Sequence, residues 1–392
     1  MISSVYIAWR YLVFNSGRTL TLVACVSLIA VVPLALEIIV EESKRQLVER
    51  AQRTPLLVGT RGSALDLVMN SLYFSDEVPQ EMKVAGAQEI AATDLAATIP
   101  LYVRFRARGF PVVGTTLDYF DFRGLELQAG TAFVLLGECV IGATVAEQLG
   151  LEPGDALLST PETVFDLAGV YPLKMRVAGV LARTNGADDL AVLVDLKTTW
   201  VIQGLIHGHE DVVKSRDSSI IIDRSERNVT ANAKLMQYRE ITEDNAGSFH
   251  LHGDEGAYPL TAVIALPHDD KAETLLRGRY LEADNPYQVV RPRDVVDGLM
   301  ANIFRIRTVL DTVILFVSLA TLMALVLVFA LSLRLRQREI DTIFKLGCSR
   351  SAMAQMLAAE IAIVAMMSAV LVGLAMVVVS RYDQQVVRAL VL

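Results

Sequence analysis

The 392-residue chain is too apolar for an ordinary soluble protein, with 53% hydrophobic residues and a mean hydropathy of +0.42, yet 20% of its residues are charged. The apolar excess must therefore be concentrated in a few segments, which leaves a remainder of ordinary polarity. The net charge of −8 argues against a nucleic-acid partner, because neutralising phosphates requires a basic patch.

Three uncharged segments hold the apolar excess: residues 19–36, 312–333 and 361–380. A helix needs about 20 apolar residues to cross a hydrocarbon core about 30 Å thick, and a buried helix of a soluble protein seldom has so long an apolar run. The first segment is too long for a signal peptide, and no A-x-A cleavage site follows it. We predict three transmembrane helices, over residues 19–40, 306–333 and 355–380.

Basic residues beside these helices predict their orientation. Arg10 and Arg18 precede the first helix, within an amphipathic segment over residues 1–18 that we expect at the cytoplasmic surface. The loop between the second and third helices, residues 334–354, is basic and should also face the cytoplasm. The parts expected outside the cytoplasm are residues 41–305 and the short C-terminal tail, 381–392.

The large outer segment alternates short strand and helix signals that turn residues separate. The expected fold is an α-helical membrane bundle of three spans, with a large extracytoplasmic mixed α/β domain inserted after the first span. The predicted strands of this domain are residues 55–58, 98–105, 110–114, 139–141, 175–182, 191–194, 219–222 and 261–266. Its predicted helices are residues 64–72, 143–149, 196–206, 230–237 and 270–280.

We expect the outer domain to be mounted on helical stalks. The first span continues in a helical pattern through residues 41–52, and no proline interrupts the chain between Pro292 and the second span. A flexible tether would instead be rich in Gly and Ser, or in Pro. Two stiff stalks of this kind could transmit force between the membrane and the outer domain.

The sequence contains no catalytic signature. It lacks the phosphate-binding motif G-x-x-x-x-G-K-[ST], the nucleophile elbow G-x-S-x-G and the zinc-protease motif H-E-x-x-H. We therefore expect a non-enzymatic membrane subunit with no cofactor of its own, so that any nucleotide chemistry belongs to another chain.

Two short histidine motifs are the metal-like feature of the sequence. His207, His209 and Asp211 offer nitrogen and oxygen ligands at short spacing, and a similar group begins at His250. Such donor sets suit Zn²⁺ or Cu²⁺, although the spacing matches no closed structural site. Solvent-exposed loop histidines are the alternative interpretation, and both stay open.

The cytoplasmic segment 334–354 has the most informative pattern. Ile340, Ile343, Phe344 and Leu346 form a short apolar stripe after the basic cluster, and Gly347 would end the helix as a C-cap. On spacing alone, this pattern fits an interfacial hairpin anchored by snorkelling arginines as well as it fits a docking element for another protein.

This segment and two others resemble one class of membrane proteins. Residues 338–350, REIDTIFKLGCSR, resemble the R-x-E-I-x-x-L-[RK]-x-[LI]-G-x-[ST] signature of the FtsX/MacB/LolC class of ABC-transporter permeases, although Arg338 directly precedes Glu339. Residues 8–22 resemble the N-terminal entry motif of that class, and residues 55–74 resemble its G-x-K-G-S-P-L-x-L-V-L-N stretch. The order of one span, an outer domain and further spans also agrees.

The resemblance implies a permease subunit for export or extraction of a substrate, lying in the bacterial inner membrane among its lipids. Two permease copies would pair with two cytoplasmic P-loop ATPase subunits that bind ATP and Mg²⁺, and a periplasmic accessory protein could join them. ATP-driven closure would push on the spans and move the outer domain, which is mechanotransmission. The coupling element would comprise Arg338, Glu339, Ile340, Ile343, Phe344, Lys345, Leu346 and Gly347.

The C-terminal tail departs from the usual pattern of the class. A fourth span is usual there, and residues 381–392 are too short and too charged to form one. Either the chain is a three-span variant or it is truncated. An alternative function also stays open, that of a membrane-anchored sensor or regulator that binds an extracytoplasmic protein partner or a metal without transport.

Overall fold

The protein folds into two compact units. The computed structural model describes residues 2–161, 172–208, 221–224, 229–231, 239–242, 245–251, 253–282, 284–335, 345 and 349–391. One unit comprises Met1–Arg45 and Leu299–Val391, and the other comprises Gln46–Gly298.

The elements are numbered here in chain order. The longer described helices are α1 Ile2–Phe14, α2 Ser16–Gln52, α3 Ala64–Tyr73, α4 Val84–Ala92, α5 Asp118–Arg123, α6 Ala143–Leu149, α7 Leu196–Ile202, α8 Asp270–Arg279, α9 Pro292–Leu335 and α10 Arg350–Val391. The described strands are β1 Leu56–Thr60, β2 Met82–Lys83, β3 Ala96–Ala107, β4 Phe110–Thr115, β5 Leu127–Gly130, β6 Glu138–Ile141, β7 Ala156–Leu158, β8 Leu173–Leu181, β9 Val192–Asp195, β10 His207–Gly208, β11 Ile221–Arg224, β12 Val229–Ala231, β13 Arg239–Glu240, β14 Phe249–His250, β15 Pro259–Leu260, β16 Ala262–Pro267 and β17 Tyr287–Val290.

Apolar helices form the first unit. Helix α1 packs against α10, where Ala8 and Leu12 are buried together with Ile363 and Val364. Within the amphipathic segment predicted over residues 1–18, Ile2–Phe14 form a helix whose buried side contacts another helix of the same unit. Between α2 and α10, Ser27 Oγ lies 3.5 Å from the carbonyl oxygen of Ser368. Interhelical contacts of this polar kind help to hold helices together inside a membrane.

Two stretches of the described residues are long and apolar enough to cross a membrane. They are Ser16–Ala35 in α2 and Ser351–Val379 in α10, which match the first and third predicted spans. The second predicted span, residues 306–333, lies within α9, several of whose side chains fall outside the described residues. Three spans in the predicted order stay a prediction.

A mixed sheet forms the centre of the second unit, which confirms the predicted α/β class. Its strand order is β13-β8-β6-β9-β4-β3-β16-β1-β17, and β5 and β7 also pair with β8. The central strands β4, β6 and β9 are rich in valine and mostly buried, as expected where helices cover a sheet. One of these helices is α7, which packs on β3, β4 and β9 and contributes the fully buried Trp200.

The long helices α2 and α9 attach to neighbouring strands of the sheet. A short turn joins the end of α2 to β1, and β17 ends two residues before α9 begins. Strands β1 and β17 are antiparallel partners, with Leu57 opposite Val290 and Thr60 opposite Tyr287. Arg291, between β17 and α9, forms a salt bridge of 2.5 Å with Glu273 of α8. The chain therefore enters and leaves the sheet at one pair of hydrogen-bonded strands.

Most predicted elements of the outer domain are confirmed, and one is wrong. A helix was expected over residues 230–237, but Thr230 belongs to β12, which pairs with β11. The β-branched side chains of Val229 and Thr230 favour a strand, and β11 supplies hydrogen-bond partners for it. Residues 232–237 lie outside the described part of the chain. Helix α4 was missed, because its small residues give only a weak helical pattern.

Candidate functional site

Most of the predicted coupling residues lie outside the described part of the chain. They are Arg338, Glu339, Ile340, Ile343, Phe344, Leu346 and Gly347. Lys345 is described, and it is helical and exposed. The docking role of this segment therefore stays a prediction.

Backbone pairing brings the two histidine motifs to neighbouring strands. His207 of β10 stands opposite His250 of β14 in the ladder. His209 and Asp211, like the side chain of His207, lie outside the described residues. Among the residues that the structure describes, no group of three or more His, Cys, Asp or Glu side chains is placed to hold a metal ion. Zinc binding stays a prediction.

The most developed polar site that the structure describes is a buried ion pair at the end of α2. Arg50 Nη1 lies 2.5 Å from Asp188 Oδ2, and Arg50 Nη2 lies 3.0 Å from Asp188 Oδ1. The two side chains are only 12% and 4% exposed. This two-pronged geometry uses the planar fork of a guanidinium, which a lysine could not reproduce.

Aromatic side chains complete the surroundings of Arg50. Its Nη2 donates to the hydroxyl of Tyr119 over 2.8 Å, and that hydroxyl donates to Asp188 Oδ1 over 2.8 Å. The guanidinium carbon lies 5.4 Å from the centre of the Phe74 ring. One turn earlier in α2, the backbone carbonyl of Leu47 accepts a hydrogen bond from Tyr73. The last two turns of α2 are thus held by side chains from α3, α5 and the loop that carries Asp188. We call Arg50, Asp188 and Tyr119, with Tyr73 and Phe74, the α2 anchor.

Local structure fixes the position of each anchor residue. Tyr119 lies on α5, which Gly124 ends in a left-handed conformation at φ 62°. Asp188 lies in a 3-10 turn between β8 and β9. The neighbouring Asp189 fastens that turn, because its carboxylate accepts hydrogen bonds from the backbone N–H groups of Thr184 and Asn185. The anchor therefore connects α2 to the loop that leads directly into a central strand of the sheet.

Electrostatics keep the ion pair charged despite its burial. Burial alone would raise the pKa of Asp188, but the positive charge of Arg50 and its hydrogen bonds outweigh burial and hold that pKa below its usual 3.8. Burial would likewise lower the pKa of Arg50, and the Asp188 carboxylate instead raises it. Burial raises the pKa of Tyr119 to about 12, so its hydroxyl keeps its proton at neutral pH. The described contacts hold the end of α2 against the loop that carries Asp188 and against α3.

Sequence reasoning missed the anchor. Arg50 follows a long apolar segment, where a basic residue is ordinary, and Asp188 lies 138 positions away in an unremarkable loop. The one local signal is the pair Asp188-Asp189 after Gly186, which predicts a turn but not a partner.

Gly142 allows the loop that carries Asp188 to approach the sheet. A Cβ at this position would meet the backbone carbonyl oxygens of Asp188 and Asp189 well inside van der Waals distance. We expect Gly142→Ala to lower the free energy of unfolding by about 1–3 kcal/mol, because backbone atoms cannot move aside as a side chain can. Chemical denaturation followed by Trp200 fluorescence measures this. The control is Gly62→Ala, since a Cβ there meets nothing within 4 Å, and an equal loss in both variants would contradict the prediction.

Acid should weaken the α2 anchor. The pKa of Asp188 is lower in the folded protein than its ordinary 3.8, so the stability from the pair is fully present above that value and is lost as the pH falls below it. Asp188→Asn should cost about 3–5 kcal/mol near neutral pH, because Arg50 then stays buried without its carboxylate.

Unfolding measured from about pH 6 down to about pH 2 should be less dependent on pH in Asp188→Asn than in the wild type. Asp284→Asn, at an exposed aspartate, serves as the matched control. Identical pH profiles for Asp188→Asn and the wild type would show that the pair does not contribute as described.

The chain matches a known family and resembles two solved structures. The model of the MacB-like periplasmic core domain matches residues 20–234, more than half of the chain. The periplasmic region of MacB from Actinobacillus actinomycetemcomitans is 12% identical, with a TM-score of 0.38 over 65% of this chain and 98% of that one. The extracellular domain of the noncanonic ABC-type transporter YknZ from Gram-positive bacteria is 14% identical, with a TM-score of 0.33 over 60% of this chain and 98% of that one. No curated protein sequence matched the chain.

The assignment of the chain to a family rests on the family-model match alone, since both structural similarities are distant. This match confirms the resemblance to the FtsX/MacB class of ABC-transporter permeases that the sequence motifs indicated. The chain belongs to the family of the MacB-like periplasmic core domain.

Proposed function

We propose that this chain is the transmembrane permease subunit of an ABC transporter in the bacterial inner membrane. It would couple ATP hydrolysis by a separate cytoplasmic ATPase to movement of its extracytoplasmic domain, and so export or extract a substrate. Family membership supports the permease assignment. The α2 anchor is the observation that supports the proposed transmission of force. Helix α2 contains the first apolar span, and a buried ion pair with two hydrogen bonds fixes the end of this helix to the sheet domain.

The proposed path of force starts in the cytoplasm. There the coupling element, residues 338–347, would dock on the ATPase through the apolar stripe that contains Ile343 and Phe344. The N-terminus and residues 334–354 would face the cytoplasm, as the positive-inside rule predicts. This chain would bind no nucleotide, and ATP with Mg²⁺ would belong to the ATPase subunit.

The outer part of the path is supported by described contacts. Helix α2 leads into β1 through a short turn and is clamped by Asp188, whose loop continues into β9. Strand β1 is paired with β17, which leads into α9. Displacement of α2 or α9 would therefore act on adjacent strands and move the sheet as one body, since a hydrogen-bonded ladder resists shear between its strands.

Further assembly follows from the same proposal. A second copy of the permease chain would complete the membrane part, and a periplasmic accessory protein could bind the outer domain. These partners come from the resemblance to the permease class. The contacts described for this chain neither require nor oppose them.

The docking step can be tested by copurification. Replacing Ile343 and Phe344 by Asp should abolish binding of the ATPase, because two carboxylates would have to be desolvated in an apolar contact. The tagged full-length chain is purified in mild detergent from its native membranes, and bound proteins are identified by mass spectrometry.

The matched control is Val134→Asp with Leu281→Asp, which introduces the same two charges at side chains of the outer domain that are 82% and 78% exposed. We expect a P-loop ATPase at about equal stoichiometry with the wild type and with the control, but not with the variant of Ile343 and Phe344. An ATPase retained by that variant would overturn the docking assignment. The absence of any ATPase from the wild type would overturn the permease proposal.

A further inference from the structure

A second arginine, Arg123, lies beside the α2 anchor, and it forms no salt bridge with the acidic residues that the structure describes. It follows Tyr119 by four positions on α5, and its guanidinium lies 5.7 Å from the centre of the Tyr119 ring and 4.7 Å from that of Phe122. Its Nε and Nη2 atoms are buried, and neither has a hydrogen-bond partner among the described residues. Nε and Nη2 lie along one edge of the guanidinium group. In arginine–carboxylate pairs, such an edge can donate two parallel hydrogen bonds to the two carboxylate oxygens.

Arg50 and Arg123 both act electrostatically on the carboxylate of Asp188, and both lie against Tyr119. The fork of Arg50 occupies both oxygens of that carboxylate. The adjacent Asp189 is engaged with Thr184 and Asn185. Arg50 and Arg123 therefore compete for Asp188, and Arg50 holds it in this conformation.

Burial and repulsion both act against the charge of Arg123. Burial lowers its pKa, and the positive charge of Arg50 lowers it further. For Asp188, burial is opposed first by Arg50 and then by Arg123. The electrostatic influence of Arg123 thus already reaches the carboxylate that Arg50 holds, and Tyr119 touches all three groups.

We propose that Arg123 is the alternative partner of Asp188, which receives the carboxylate when α2 moves and Arg50 withdraws. Without it, withdrawal would leave a buried carboxylate with no counter-charge, which is among the costliest states of a protein interior. With it, the anchor has two arrangements, one with Arg50 paired and one with Arg123 paired. Such an exchange would allow repeated release and recapture of α2. Its use in a transport cycle rests on the proposed function, whereas the exchange itself is a property of this domain.

The exchange predicts that removal of Arg123 has opposite effects in two backgrounds. With Arg50 present, Arg123→Met removes a buried charge that Arg50 repels and should leave the melting temperature unchanged or raise it. With Arg50→Gln, Arg123 is the remaining cation for Asp188, so Arg123→Met should lower the melting temperature by at least about 2 °C more. The glutamine keeps one donor for Asp188, which helps the single variant to fold.

Thermal unfolding of the full-length chain in detergent measures this, with Trp200 fluorescence as the probe in a Trp9→Phe background, since the chain has two tryptophans. A second readout is the stability measured as a function of pH. In Arg50→Gln, stability should still fall as the pH drops below the ordinary pKa of Asp188, because Arg123 keeps that carboxylate charged. In Arg50→Gln with Arg123→Met the trend should reverse, because burial without a counter-charge raises the pKa of Asp188. An equal fall on removing Arg123 in both backgrounds would overturn the exchange and assign Arg123 a packing role on Phe122. The experiment contains no ATPase, so its failure leaves the permease proposal intact, and failure of copurification leaves the exchange intact.

Discussion

The pairing of Arg50 with Asp188 is the interaction on which the mechanical account of this protein depends. Both groups lose most of their hydration on burial. Their attraction compensates for this loss only because two hydrogen bonds join them and because the Tyr119 hydroxyl accepts a further hydrogen bond from Arg50. A pair of this kind contributes little net stability compared with an apolar contact, but separating its partners is expensive. It therefore acts less as a source of stability than as a fixed joint between a helix and a loop.

Other contacts of the outer domain hold the loop that carries Asp188 in a fixed position. Asp188 lies on a loop that Asp189 and Gly142 hold close to the sheet, and the loop leads into β9 at the centre of the strand order. Strand β1 follows α2 and pairs with β17, so the chain enters and leaves the sheet at neighbouring strands. A rigid sheet with both connections at adjacent strands suits a domain that moves as one body, which is the behaviour proposed for this chain.

The sequence predicted the class of fold and most strands, because short apolar runs bounded by Gly, Pro and Asp have a clear physical meaning. It placed β3, β4, β6 and β9 correctly and recognised the apolar cores of α2 and α10. It failed at 230–231, where local propensity was ambiguous and pairing with β11 decides the outcome. It also could not reveal the α2 anchor. Arg50, Tyr119 and Asp188 meet only through the sheet, and no spacing in a single sequence encodes a contact across 138 positions.

The most direct test of the account is hydrogen exchange of the full-length chain in nanodiscs with its ATPase, compared with and without ATP. The backbone amides of β1 and β17 report on the point where both long helices join the sheet. The account predicts that ATP changes their exchange in the wild type and that Arg50→Gln abolishes this change while the ATPase stays bound. An ATP-dependent change of the same size in Arg50→Gln, or none in the wild type complex, would contradict transmission through the α2 anchor.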